Sequence, residues 1–169
     1  MDFAELIQKR YSVRAYRPLP VEEEKLAAIL DAARLAPTAA NRQPFKIVVI
    51  RPQGREQELR RIYDADWFVS APVILAVIGI PAKNWKRKDG KNYNDVDAAI
   101  VMDHIILQAA DMGLGTCWIG AFDPQAAREV LALPPDVEPI AFTPLGYAAD
   151  SPKPKQRRPQ SELVAFDRW

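Results

Sequence analysis

Cysteine and histidine are nearly absent from this chain, which has only Cys117 and His104. A single cysteine excludes an intrachain disulfide framework, and so short a supply of both residues excludes a Cys/His zinc centre. Long hydrophobic runs are missing too. The longest, VILAVIGIPA from Val73, falls well short of the ~20 residues that a membrane-spanning helix needs. The opening MDFAELIQKR carries acids near its start and no apolar core, so it does not read as a signal peptide, and a cytoplasmic protein is expected. Excess charge of either sign is also lacking. Lys and Arg number 23 against 22 Asp and Glu, so no bulk field draws the chain to nucleic acid or an anionic membrane. Neither a P-loop nor a GxGxxG motif occurs, which argues against a Rossmann dinucleotide site.

What is present suits one domain over residues 1–169, at 49% hydrophobic and 27% charged. Phe3, Leu6 and Ile7 predict a short amphipathic helix ending near Arg10. A second helix starts at Pro20 or Val21, with Glu22, Glu23 and Glu24 in its first turn, where acids suit the helix dipole. Leu26, Ile29, Leu30 and Ala33 form its buried stripe, and Pro37 closes it. FKIVVI at 45–50 and VILAVIG at 73–79 are β-branched apolar runs that read as buried strands, with REQELRRIY as a surface helix between them. The polar NWKRKDGKNYND at 84–95 reads as a mobile loop.

A long helix follows over about 95–112, with Asp95 and Asp97 as its caps. It is so apolar around its circumference that it must be buried on several sides, one of them against a partner subunit. GLGTCWIGAF gives a turn, a short strand and a loop. DPQAAREVLAL is a helix with Asp123 as N-cap and Pro124 in its first position, and IAFTPLGY is another strand. A Pro- and Lys/Arg-rich extension ends the chain. The class is α+β, with helices on one mixed central sheet.

Four clusters have chemical potential. In KRYSVRAY, Arg10, Ser12 and Arg14 alternate, which suits either an anion site or a capping serine among solvated arginines. The tail KPKQRR is a second cationic cluster, or a solvated linker. Together the two could converge on one phosphate, which favours several guanidinium or ammonium donors and a hydroxyl. PTAANRQPF carries Asn41 and Gln43, whose amides either serve a planar heterocycle or satisfy local backbone. GTCWIGAF sets Gly115 and Gly120 about Trp118, permitting close approach of a flat ligand or simply a tight strand end. Cys117 has no His or Asp neighbour in sequence and reads as a small buried hydrophobe, and His104 as a satisfied core or interface residue. Anion donors, amides and glycines without a nucleophile point to a cofactor that carries the chemistry.

In order along the chain, these segments resemble the nitroreductase family of FMN-dependent oxidoreductases. The resemblance runs from IQKRYSVRAYRPLPVEEEKLAAILDAARLAPTAANRQPFKIVVI through DVDAAIVMDHIILQAADMGLGTCWIGAFD to PLGYAADSPKPKQRRP and the SELVAFDRW tail. It implies an interlocked homodimer with an FMN at each subunit interface and residues 152–169 packed on the partner. Arg10 and Ser12, with Tyr11 between them, would hold the FMN phosphate, and Arg14 would reach the pyrimidine side of the ring. Lys155 and Arg157 would complete the clamp. Pro37, Thr38, Ala39 and Asn41 would come from the other subunit. Trp118, Ile119, Gly120 and Ala121 would run beside the isoalloxazine, with a backbone N–H at Gly120 or Ala121 aimed at N5. Many relatives have Glu-Gly where this chain has Gly120 and Ala121, and a longer helical roof where it has residues 84–95.

The implied activity is hydride transfer from NAD(P)H through the flavin to a small electrophilic acceptor such as a nitroaromatic or quinone, in ping-pong order. No metal is implied. The alternative is a protein that stores or senses FMN without turnover. A nucleic-acid module built on KPKQRR is disfavoured by the balanced charge and by a basic tail without interleaved aromatics.

Overall fold

The structure is a computed structural model and describes residues 2–169. Its elements in order are α1 (Phe3–Lys9), α2 (Glu23–Leu35), β1 (Phe45–Ile50), α3 (Glu56–Arg60), α4 (Asp66–Val69), β2 (Val73–Gly79), α5 (Asn94–Asp111), β3 (Gly115–Thr116), α6 (Pro124–Val130), β4 (Glu138–Gly146) and α7 (Gln160–Leu163). The strands form one sheet in the order β1-β2-β4-β3. All three pairings are antiparallel. The expected mixed character is confined to one isolated parallel bridge, from Ser12, which lies in no named strand, to Thr116 of β3.

Strand β2 explains why the body is layered. Every one of its residues is buried, because successive side chains point to opposite faces. Val73, Leu75 and Val77 join Leu26, Ile29 and Ala33 of α2 and Val101, Met102 and Ile105 of α5. Ile74, Ala76 and Ile78 join Leu59, Phe68 and Ala127 on the other face. There Phe142 takes edge-on contacts from Phe122 and Phe68, at 4.8 and 6.3 Å between ring centres. The sheet is therefore covered on both sides, which an apolar run without alternation demands.

Helix α6 begins as its sequence dictates, with Asp123 Oδ1 accepting from Gln125 and Ala126 N–H, both at 2.9 Å. Helix α5 does not. Asp95 and Asp97 are not its caps: Asn92 Oδ1 accepts from the Asn94 N–H at 2.7 Å, while Asp97 is buried and turned elsewhere. The 84–95 segment is also more ordered than a mobile loop. Lys86 bridges Asn92 in antiparallel fashion, Arg87 N–H donates to Lys91 O at 3.0 Å, and Asn84 and Asn94 are buried. Among the described residues no helix is long and apolar enough to cross a membrane.

Candidate functional site

After α1 the chain runs alongside two other strands. Val13 N–H donates to Thr116 O at 2.9 Å, Arg17 N–H to Tyr147 O at 2.8 Å, and Ala149 N–H to Ala15 O at 2.8 Å. Gly115 permits this closeness, since a Cβ there would sit 2.5 Å from a Val13 methyl. The pairing brings residue 12 and residue 150 to one edge of the body, although they are far apart in sequence.

At that edge lies a cleft of about 470 Å³ lined by Arg10, Tyr11, Ser12, Arg14, Lys155 and Arg157, together with Asp150, Ser151 and Lys153. Both cationic clusters thus share one space. Asp150 ties them together. Its Oδ2 accepts from Arg14 N–H at 2.8 Å, and its Oδ1 and backbone O accept from the Tyr11 hydroxyl at 3.1 and 3.0 Å. Burial first, and then this carboxylate, raise the Tyr11 pKa, so its hydroxyl remains a donor. The tail then crosses α1, where Lys155 Nζ donates to Ile7 O at 2.6 Å, one of the carbonyls that a helix C-terminus leaves without an intrahelical partner.

The electrostatics call for an anion. Among the described residues none of Arg10, Arg14, Lys155 and Arg157 is ion-paired. The Lys155 pKa is pushed down, first by desolvation and then by the charges of Arg10 and Arg157. Guanidinium and ammonium groups beside the Ser12 hydroxyl are the donor set a phosphate monoester prefers. The cleft therefore fits the phosphate end of a nucleotide-like cofactor. No group of three or more His, Cys, Asp or Glu that could hold a metal occurs among the described residues.

The bridge from Ser12 to Thr116 leads to the glycine-flanked segment. Cys117 is buried, and burial, the largest influence, pushes its thiol pKa up, which suits a packing role. Trp118 is 41% exposed. Ile119 is buried and exchanges backbone bonds with Phe142 at 2.8 and 3.0 Å. Gly120 and Ala121 are exposed, and a Cβ at Gly120 would meet nothing within 4 Å. Packing does not require glycine there, and the open space suits a flat ligand.

The 37–41 turn is built elsewhere. Ala39 N–H donates to Asp97 Oδ1 at 2.8 Å, and Thr38 Oγ1 accepts from Gln43 N–H at 3.0 Å. Ala40 and Asn41 take positive φ values of 52° and Gln43 of 49°, a left-handed conformation that side chains other than glycine rarely adopt. The two amides meet each other, Gln43 Nε2 donating to Asn41 Oδ1 at 3.1 Å. Asp97 lies in the first turn of α5 and Thr116 beyond its far end, so roughly 20 Å of helix separates this turn from the cleft. A single copy does not bring Pro37, Thr38, Ala39 and Asn41 to the cations.

Asp97 and Asp150 are the residues sequence reasoning missed as site-building groups. Their partners lie 58 and 136 positions away, and no local pattern marks such links. Asp64 and Asp66 both pair with Arg60. His104 Nδ1 lies 2.9 Å from Ile100 O, in a groove shared with Phe3, Leu6 and Leu107.

Comparison with known proteins identifies the arrangement. The model of the nitroreductase family matches residues 7–67 and 63–147. The crystal structure of a nitroreductase family protein from Clostridium difficile 630 is 40% identical, covers all of both chains and superposes with a TM-score of 0.90. An FMN-dependent nitroreductase from C. difficile R20291 is 27% identical over 99% of this chain and all of its own, with a TM-score of 0.80. The Bacillus subtilis FMN reductase (NAD(P)H) is 30% identical over 90% of this chain and 68% of its own.

Proposed function

The chain belongs to the nitroreductase family, and from that premise we propose that its cationic cleft holds the phosphate of FMN. The protein is an enzyme, an NAD(P)H oxidoreductase with FMN as cofactor. In this reading its acceptor is a small electrophile, a nitroaromatic, a quinone or a similar compound, and reductant and acceptor follow one another in ping-pong order. The observation that carries the reading is the convergence in one cleft of Arg10, Arg14, Lys155 and Arg157, whose side chains form no ion pair among the described residues.

Bound FMN would supply reversible two-electron chemistry between NAD(P)H and the acceptor. Arg10, Ser12, Lys155 and Arg157 bind the phosphate, and Tyr11, fixed on Asp150, holds the segment that presents them. Arg14 keeps a positive charge at the pyrimidine edge of the ring, where charge develops on reduction. Residues 118–121 would run along the ring, and a backbone N–H at Gly120 or Ala121, both exposed residues, would donate to it. Among the described residues the only carboxylate lining the cleft, Asp150, is already engaged with Tyr11 and the Arg14 backbone, so the acceptor's last proton comes from solvent.

A second copy of the chain completes the site by supplying Pro37, Thr38, Ala39 and Asn41. The exposed apolar side chains Phe3, Ile7, Phe166 and Trp169 at the two ends of the chain support a homodimer. A visible absorption spectrum of the purified protein, followed by heat release of the chromophore, tests the reading. Released FMN is expected, and a colourless protein that also refuses added FMN would sink it. Oxidation of NAD(P)H under air then separates an enzyme from a protein that merely stores or senses FMN.

A further inference from the structure

We infer that the ribbon at residues 84–94 binds the 2′-phosphate of NADPH and so makes the enzyme prefer NADPH over NADH. The inference rests on the placement of the 37–41 turn beside the flavin, proposed above. Two observations meet in this ribbon.

The first is that it is a built element. Its root is anchored by buried Asn84 and Asn94, with Asn84 Nδ2 donating to Asn92 Oδ1. A Cβ on Gly79 would overlap the Asn94 side-chain amide, so the glycine lets that buried amide pack against the strand end. Trp85 packs edge-on against Tyr93 with ring centres 4.9 Å apart, and Gly90 turns the tip at φ +87°. Arg42, immediately after Asn41, donates from Nη1 to Asn84 O at 2.9 Å. The ribbon is thereby tied to the turn that a second copy's flavin site would receive.

The second is charge. Lys83, Lys86, Arg87, Lys88 and Lys91 stand against Asp89 and Asp95 between residues 83 and 95, a net +3 in a chain whose total is +1. Arg87 and Asp89 neutralise each other, bonded at 2.9 and 3.0 Å. Among the described residues the side chains of Lys86 and Lys88 form neither an ion pair nor a hydrogen bond. Both are exposed. NADH and NADPH differ by one phosphomonoester on the adenosine ribose, distant from the reacting nicotinamide. Two or more ammonium groups on this ribbon would discriminate on that group alone, without altering hydride transfer.

The test uses the FMN-loaded protein and its Lys86→Gln/Lys88→Gln variant. The wild type is expected to show a kcat/KM for NADPH about tenfold or more above that for NADH at low salt, the scale of one charge-assisted contact. The double variant should lose most of that ratio. Calorimetry supplies a readout independent of turnover. Adenosine 2′,5′-bisphosphate should bind the wild type at least about tenfold more tightly than 5′-AMP or inorganic phosphate, and the variant should abolish the difference. A yellow protein that oxidises both dinucleotides with equal efficiency overturns the inference and leaves the flavin reading intact. A ratio unmoved by the double variant, or a bisphosphate bound no better than 5′-AMP, overturns it likewise. Absence of FMN is a different failure, of the reading beneath it.

Discussion

Strands β2 and β4 carry their apolar side chains into closed cores, with Leu75 and Phe142 completely buried, whereas β1, expected to be buried, is an edge strand in which only Ile50 is buried. At the two ends of the chain the opposite holds. Phe3 is 62% exposed, Phe166 84%, and Trp169 fully so. Every residue from 151 to 169 is exposed. The body thus satisfies the hydrophobic effect within one copy, and the ends do not. Yet the ends build the cationic cleft, with Arg10 to Arg14 from one and Lys155 and Arg157 from the other. The buried core and the proposed FMN site thus lie in different parts of this chain, so the two should be separable by mutation.

Phe142→Ala attacks the body and carries the largest expected effect. It removes a ring packed between Phe68 and Phe122 and should cost about 3–5 kcal/mol in urea unfolding. Deleting residues 152–169 attacks the other region. FMN affinity should fall roughly a hundredfold, from the loss of two charge-assisted contacts, and sedimentation should show a weakened dimer. The far-ultraviolet circular dichroism of the sheet should persist. Unchanged FMN content in that truncation would remove the tail from the clamp.

Smaller perturbations sharpen the contrast. Arg10→Ala should weaken FMN about tenfold to a hundredfold, read by flavin fluorescence titration, with little change in unfolding. The pH dependence has a definite sign. Lys155 titrates below the ordinary lysine range, and phosphate favours its charged form. FMN affinity should therefore be full below that lowered pKa and decline as pH rises through it, earlier than an ordinary lysine predicts. Lys155→Arg, charged throughout, should remove that early decline. Least of all, Cys117→Ser should leave turnover nearly intact, because the thiol is buried and carries no assigned chemistry.

Where the sequence was legible, a local rule sufficed. Strands β1 and β2 lie on the apolar runs at 45–50 and 73–79, since β-branched runs bounded by Pro, Gly and Asn have few alternatives. The cap of α6 was equally plain, because Asp-Pro acts on groups two and three residues away. Helix α2 starts at Glu23, two or three residues later than its acidic first turn suggested, with Glu22 as N-cap. Helix α4 escaped notice because four residues make too short a window for periodicity. Asp97 was misread for a related reason. An acid near a helix start resembles a cap until the fold brings Ala39 beside it.

The cationic clusters were visible as residues, and their resemblance to a family supplied roles for them. Composition and order along the chain determined by themselves an α+β class, a balanced charge and the lack of an apolar run long enough to cross a membrane as a helix. Only the tertiary structure decided that Arg10 and Arg157 face one cleft and that Asp150 ties Tyr11 and the Arg14 backbone to the root of the tail. Only it separated the 37–41 turn from that cleft by the length of α5. Periodicity and capping act over a few residues and can be read from the chain alone. A converging site depends on contacts across more than a hundred residues, whose closure is set by the packing of the whole sheet.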